Sequence, residues 1–391
     1  MRTRRLLGGA VVLGGLLVGP SVTANSSAAT NLACATQVVS TWSVARLANE
    51  TIAVSVNAEN IGAMGPAARA GYGGLLLVGA TAPSKFSNIV ATLQRETPEK
   101  YAMLIMTDEE GGGVKRLSNL IAGAPWAQTM GKNLTSSQIT AEGEKVGRSL
   151  LAAGVNTDLA PVLDVDGRAV WPSATNPDGY RSFGGVPAKV ASDGVAFLNG
   201  LRHAGVVGVV KHFPGLGGST GNSDYGPAAT VPWSTLKRTG LVPFQAAVSD
   251  GATAVMVSNA SVPGLTTLPS SISPVAIQYL RQQLGFTGLI MTDSLGAGAL
   301  SALHLSVPAA SVKALLAGAD MTLAGSPPSP AASLQLAQVT SNAIQEAVSA
   351  GTIPLTTLQG AAAQVLSSKN QVSCPGAPVT TTSSPVTTTS S

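Results

Sequence analysis

The sequence predicts an α/β protein, a single-domain (β/α)8 barrel of the TIM type. Three observations carry this expectation. Eight short apolar runs punctuate the chain. Most gaps between them hold a stretch patterned like an amphipathic helix, and strands alternating with helices imply a parallel sheet. Many of the runs end in charged or polar residues, and the carboxyl ends of buried parallel strands are where such barrels place their chemistry.

The runs cover residues 51–56, 74–78, 102–106, 155–160, 206–210, 254–257, 288–291 and 319–323. The helical stretches cover 87–95, 141–153, 188–204, 234–249, 274–284, 307–316 and 334–350. A doubly wound open sheet would use the same alternation. No glycine fingerprint for dinucleotide phosphates opens any of the helices, however. The run Gly111-Gly112-Gly113 follows acids and has no phosphate-binding Lys, so it is not read as a phosphate loop.

The fifth run is the most informative. It passes directly into Lys211-His212-Phe213-Pro214-Gly215. A lone Lys at a strand end commonly snorkels, and a lone core His is commonly just satisfied there. Here other strand ends are polar as well. The third run leads to Asp108-Glu109-Glu110, the fourth to Asp164 and Asp166 and later Arg181, the sixth to Ser258-Asn259, and the seventh to Thr292-Asp293-Ser294. One such Asp is most often a helix N-cap, and Asp293 before Ser294 fits that role. Carboxylates, a Lys and an Arg on four or more strand ends are harder to explain as caps. An acid-rich mouth with few aromatics suits a polyhydroxyl ligand, since carboxylates accept hydrogen bonds from vicinal hydroxyls.

The chain has 391 residues, 45% hydrophobic and 11% charged, which suits a large buried core and argues against a disordered chain. Residues 1–24 read as a secretory leader, with Arg2, Arg4 and Arg5 before an apolar stretch and small residues up to Ala24. The apolar stretch is short for a membrane span, although an uncleaved anchor is the alternative. Removing the leader takes away three arginines and no acid, so the net charge falls from +4 to +1. No nucleic-acid footprint is left. Residues 25–46 form an N-terminal extension, 47–370 the barrel, and 375–391 a Thr/Ser/Pro-rich disordered tail. Cys34 and Cys374 bracket the barrel, and in an exported protein they are expected to form a disulfide. The rival is a lipid-modified Cys34 after Leu32-Ala33, with Asn31 where an aliphatic residue belongs.

No Cys/His cluster suits a metal, since the histidines are His203, His212 and His304. No Gly-x-Ser-x-Gly elbow occurs. Neither metal nor cofactor is expected, and what remains is carboxylate chemistry. Glycoside cleavage needs one ionised carboxylate and one proton donor flanking the glycosidic bond.

Five segments, taken together, resemble glycoside hydrolase family 3, and in particular its single-barrel bacterial β-N-acetylglucosaminidases. They are Asp108-Glu109-Glu110-Gly111-Gly112, Ala160-Pro161-Val162-Leu163-Asp164, Arg181-Ser182-Phe183-Gly184, Lys211-His212-Phe213-Pro214-Gly215 and residues 285–293, ending Met291-Thr292-Asp293. The resemblance runs in order from about residue 47 to 366. It implies a retaining exo-hydrolase that removes terminal β-linked N-acetylglucosamine. It implies that Asp293 is the nucleophile and that Asp108, Arg181, Lys211 and His212 hold the terminal sugar's hydroxyls.

The chain departs from the family pattern after Gly215. The family continues with a His, where this chain has Leu216, and then carries Asp-Ser-His, where this chain has Asn222-Ser223-Asp224. The family's proton donor, the last His, is thus an Asp here. Asn259 stands where a His is common. Three readings remain open. Asp224 is the acid/base, kept protonated in a closed apolar pocket under a glycine-rich loop. Another acid, Glu109 or Asp166, donates the proton. Or the barrel binds sugar and turns it over poorly, with Asp224 only a turn residue. The reading adopted is a secreted or envelope-associated β-N-acetylhexosaminidase with Asp293 and Asp224 as catalytic pair. Its partner is an amino-sugar glycan of cell-wall origin, not nucleic acid. It is expected to be a monomer whose tail contacts the wall. The alternatives are a β-glucosidase and a catalytically weakened glycan-binding envelope protein.

Overall fold

The computed structural model describes residues 21–369. Eight parallel strands close in chain order into a barrel, as the alternation predicts. They are β1 (Ile52–Asn57), β2 (Gly74–Val78), β3 (Leu104–Thr107), β4 (Thr157–Asp158), β5 (Val207–Phe213), β6 (Ala254–Val257), β7 (Leu289–Ser294) and β8 (Met321–Leu323). β1 pairs with β2 on one side and β8 on the other. Ala53, Leu76, Met106, Leu159, Val209, Met256 and Met291 fill the barrel interior, so it is a packed core and not a pore.

β2 and β6 match the expected runs. β5 and β7 run three residues further than expected, and this extension makes the site. Charge was expected to end β5 at Val210, yet Lys211 and His212 continue it, fully paired inside the barrel. Register shifts fall between Val210 and Phe213 and between Met291 and Ser294. Such bulges re-aim side chains at a strand's end. β4 is short because its continuation, Ala160-Pro161, has no N–H to give at Pro161. The ladder resumes where the Leu163 N–H donates to the Lys211 carbonyl at 2.6 Å.

The helical stretches form an outer ring. The one expected at 234–249 is broken into Trp233–Leu236 and Leu241–Ser249. Between them lies Gly240, whose backbone closely approaches Gly215, and a Cβ on Gly215 would sit 3.1 Å from the Gly240 Cα. The expected helix at 274–284 is Pro274–Gln278 followed by a π turn at Tyr279–Gln283.

Two further helices close the barrel's amino-terminal face. Ser21–Val39 occupies much of what was read as an extension, and the cut expected after Ala24 would fall inside it. It packs on Leu355–Ser368, where the run Gly360-Ala361-Ala362-Ala363 is too weakly apolar to announce a helix. Val365 of that helix reaches the barrel-interior cluster. Lys369 then meets Glu50, just before β1, at 2.6 Å, with both side chains buried. The rest of the expected leader, the tail and Cys374 lie outside the described residues. Cys34 is buried on Ser21–Val39. Among the described residues no helix is long and apolar enough to cross a membrane.

Candidate active site

A cavity of about 400 Å³ opens at the carboxyl ends of the strands, within the range of small-molecule sites. Its floor is an ion-pair network. Lys211 Nζ lies 2.6 Å from Asp108 Oδ1 and 2.6 Å from Glu110 Oε1. Arg181 grips Glu110 with two bonds, Nε to Oε2 at 2.7 Å and Nη2 to Oε1 at 2.8 Å. Burial alone would push both carboxyls up. Lys211 beside Asp108, and Arg181 with Lys211 beside Glu110, hold both below the ordinary carboxylate range. Arg116 Nε, 3.5 Å from Asp108 Oδ2, adds a third cation to these two anions.

Strand alternation explains which acids face in. Past β3, Asp108 and Glu110 line the cavity, while Glu109 between them turns away. Glu109 Oε1 accepts the N–H groups of Arg116 and Leu117 at 2.9 and 2.8 Å, and burial pushes its carboxyl up to about 7. Asp166 is held by Arg168 through both oxygens and by the Gly179 N–H. It does not line the cavity either. These two rival proton donors are engaged in holding loops.

His212 projects from β5 into the cavity. Its Nδ1 is 2.7 Å from Asp164 Oδ2, and Asp164 Oδ1 accepts the N–H groups of Leu216 at 2.6 Å and His212 at 3.3 Å. Burial, and then the nearby Arg181 guanidinium, lower His212 to about 4. The imidazole is therefore neutral at neutral pH. With its Nδ1 proton on Asp164, Nε2 is an acceptor facing the pocket, 3.5 Å from Arg181 Nη2. Behind them Asp178 is wholly buried, and neither oxygen accepts a hydrogen bond. Burial, with the Asp164 charge adding to it, pushes Asp178 well up. A protonated Asp178 can donate to Asp164. Asp164, Asp178 and His212 each bring one ligand atom within 4.8 Å of the others. A cation there would sit against the Arg181 guanidinium and compete for the His212–Asp164 bond, so the trio fits a shared proton better than a metal.

Asp293 lines the cavity at the end of β7, and its Oδ1 accepts the Ser294 N–H at 2.7 Å. It is not an N-cap, because the next helix starts at Gly298. Burial raises the Asp293 carboxyl and the Asp224 charge adds to that, while His212, the Ser294 N–H and Lys211 act in the opposite direction. Asn259, fully buried, donates through Nδ2 to the Ser294 carbonyl at 2.7 Å and accepts from Ser271 Oγ, fixing the backbone beside Asp293.

Asp224 also lines the cavity, opposite in sequence and near enough for its charge to act on Asp293. The turn here is made by Asn222, whose Oδ1 accepts the Asp224 N–H at 2.9 Å. The Asp224 carbonyl accepts the Gly298 N–H, and the Ser223 carbonyl accepts that of Ala299. The loop is thus docked, but Asp224 itself is exposed, not enclosed in the apolar setting expected for it. Leu216, in place of the first family His, packs on Ala228 and Ala260.

The structure therefore brings Asp108, Arg181, Lys211, His212, Asp224 and Asp293 to one cavity. Glu110, Asp164 and Asp178 were not singled out as site residues. The alternation past β3 could have found Glu110. Asp178 lies in an irregular loop that gave no signal.

Residues 43–368 match the family described as glycosyl hydrolase family 3 N terminal domain. The β-hexosaminidase LpqI of Mycobacterium tuberculosis is 37% identical over 232 residues, which is 56% of this chain and 58% of that relative. A β-hexosaminidase of Methylococcus capsulatus is 31% identical over 67% of this chain and 78% of its own length. Among solved structures, a family member from Mycobacterium smegmatis superposes with a TM-score of 0.76 at 27% identity, covering 86% of this chain and 99% of that one. The β-N-acetylhexosaminidase of Beutenbergia cavernae gives 0.75 at 28% identity, covering 84% and 99%.

Proposed function

Since this chain belongs to glycosyl hydrolase family 3, we propose that it is a retaining exo-β-N-acetylhexosaminidase. The observation that carries this reading is the pairing of Asp293 and Asp224 at one cavity whose floor is the Asp108–Lys211–Glu110–Arg181 network. Asp108, Arg181 and His212 Nε2 hold the hydroxyls of the terminal sugar. Lys211 and Glu110 keep Asp108 and Arg181 in place. The Asp293 carboxylate attacks the anomeric carbon as the bond to the leaving oxygen breaks, and Asp224 gives its proton to that oxygen. The Asp224 carboxylate then takes a proton from water. That water's oxygen attacks the anomeric carbon and releases Asp293. Exposure of Asp224 serves this second step, which needs water beside it.

The chain is read as exported; the leader-like pattern of residues 1–24, the cysteines Cys34 and Cys374 and the Thr/Ser/Pro-rich tail support this reading. Its substrate is an amino-sugar glycan of cell-wall origin. Aryl β-N-acetylglucosaminide and aryl β-glucoside, incubated separately with the protein, test the proposal. Faster phenol release from the N-acetyl sugar is expected. Preference for the glucoside makes it a β-glucosidase, and release from neither makes it a glycan-binding protein.

A further inference from the structure

One wholly buried acid behind the cavity floor is given no task by the catalytic reading. Both oxygens of Asp178 are shut away from solvent, and among the described residues no group donates to either. A charged carboxylate left in that state is very costly. Yet the backbone fixes Asp178 from both sides. Its N–H donates to Asn176 Oδ1 at 3.3 Å, and the next N–H, of Gly179, donates to Asp166 Oδ2 at 3.1 Å. Gly179 sits at φ 52°, and a Cβ there would fall 2.0 Å from the Val170 carbonyl oxygen. A turn pinned this closely keeps Asp178 inside.

The groups that face Asp178 account for its state. Asp164, Asp178 and His212 each bring one polar atom within 4.8 Å of the others. Asp164 receives three N–H groups, from Leu216 at 2.6 Å, from the His212 backbone at 3.3 Å and from His212 Nδ1 at 2.7 Å. Asp178 receives none. Two carboxyls this close share one proton, and the charge settles on the one that has the donors. The proton therefore belongs to Asp178. The other charged groups that face it are Arg181, on its own turn, and Arg168, in the same loop. Neither donates to it. Arg181 is engaged with Glu110 and the Pro177 carbonyl, and Arg168 with Asp166 and Asn176.

We infer that Asp178 is a positioning residue that stays a neutral acid and gives its proton to Asp164, so that His212 keeps Nε2 bare toward the sugar. The Asp178 O–H holds the negative charge on Asp164. That charge accepts the His212 Nδ1–H and fixes the tautomer. Nε2 is then left to accept a hydroxyl of the terminal sugar. With Asp178 ionised, two negative charges behind the imidazole would draw a second proton onto it, and Nε2 would become a donor. The inference rests on the role given to His212 in the hydrolase reading and deepens it.

The test compares Asp178→Leu, which removes the donor, with Asp178→Asn, which keeps an N–H donor in the same place. Asp164 must be ionised to accept from His212. Burial raises its carboxyl to about 6, and the bond from Asp178 is among those that lower it. The Leu variant should therefore lose about tenfold in kcat/KM for aryl β-N-acetylglucosaminide at neutral pH, and its acid limb should move to higher pH. The Asn variant should restore both. Were Asp178 a second anion, its removal would lower Asp164 and move the limb down in both variants. A limb that moves down or stays put in the Leu variant overturns the proposal, as does an Asn variant as impaired as the Leu one. A second arm needs no turnover. Nitrogen NMR spectra of the imidazoles, with His212 assigned through His212→Gln, should show Nδ1 protonated and Nε2 bare at neutral pH in the wild type and the Asn variant. An imidazolium in the wild type, or a tautomer altered by the Asn change, overturns the proposal even where the Leu variant does not fold. An inactive protein with the expected imidazole state keeps the inference and loses the hydrolase reading.

Discussion

Replacing Glu110 by Gln removes one charge from the pocket floor and almost nothing from its volume. Glu110 receives three charge-assisted bonds, two from Arg181 and one from Lys211, and its side chain is 4% exposed. A Gln amide keeps one acceptor and turns the other into a donor that faces cationic donors. Arg181 would lose its only salt-bridge partner among the described residues, and Lys211 would keep only Asp108. Removing one partner of a buried pair costs about 3–5 kcal/mol, and each kcal/mol moves Tm by about 2–4 °C in a domain of moderate size. Glu110→Gln should therefore melt about 10 °C below the wild type at neutral pH. The pH dependence follows from the same pairs. Burial opposes ionisation of Glu110, but Arg181 and Lys211 outweigh it and hold the carboxyl below its ordinary 4.5. That stabilisation is complete above 4.5 and is lost as pH falls through the lower folded value. The gap between wild type and variant should thus narrow in acid. Calorimetric melts across pH measure both effects. A loss under about 2 °C at neutral pH, or a gap that stays constant in acid, would refute the reasoning.

Asp293→Asn should abolish turnover and leave the melting temperature within about 2 °C, since its side chain is bonded only to the adjacent Ser294 N–H. Because the Asp293 carboxyl is raised and must be ionised to attack, the acid limb of kcat/KM should lie above the ordinary Asp value of 3.8. A limb at or below 3.8 would count against it. Asp224→Ala should slow substrates with poor leaving groups by about 10²–10⁴-fold and activated phenols much less. Azide should partly rescue it, and phosphate should not accelerate the wild type. Wild-type rates on a poor leaving group would return Asp224 to a mere rim residue. Intact mass with and without reductant should reveal one Cys34–Cys374 disulfide, and two free thiols or a lipid adduct would exclude it. Gly112→Ala should cost about 2–4 kcal/mol, because Gly112 sits at φ 58° and Trp126 fills the space of its side chain. A neutral effect on melting would show that Trp126 gives way.

The barrel was legible because its strands are apolar runs with a fixed rhythm, and β2 and β6 could be read to the residue. β5 was underestimated for a physical reason. Lys211 and His212 look like a strand's end until their partners are known, and those partners, Asp108, Glu110 and Asp164, come from the distant ends of β3 and β4. Most residues of the cavity floor were named because family motifs carried them. Glu110 and Asp178 were not, since their roles exist only as contacts across loops. The exposure of Asp224 was equally hidden, because a glycine-rich sequence does not say whether its loop encloses or merely flanks a cavity.

Both ends of the described chain converge on the face opposite the cavity. Ser21–Val39 packs there against Leu355–Ser368, and Lys369 is pinned to Glu50 just below β1. This geometry has a consequence for tethering. A protein held to a surface beside Lys369 would present its mouth outward, away from the point of attachment. Coupling at that position should thus leave substrate access unobstructed, whereas coupling through the loops around the cavity would block it.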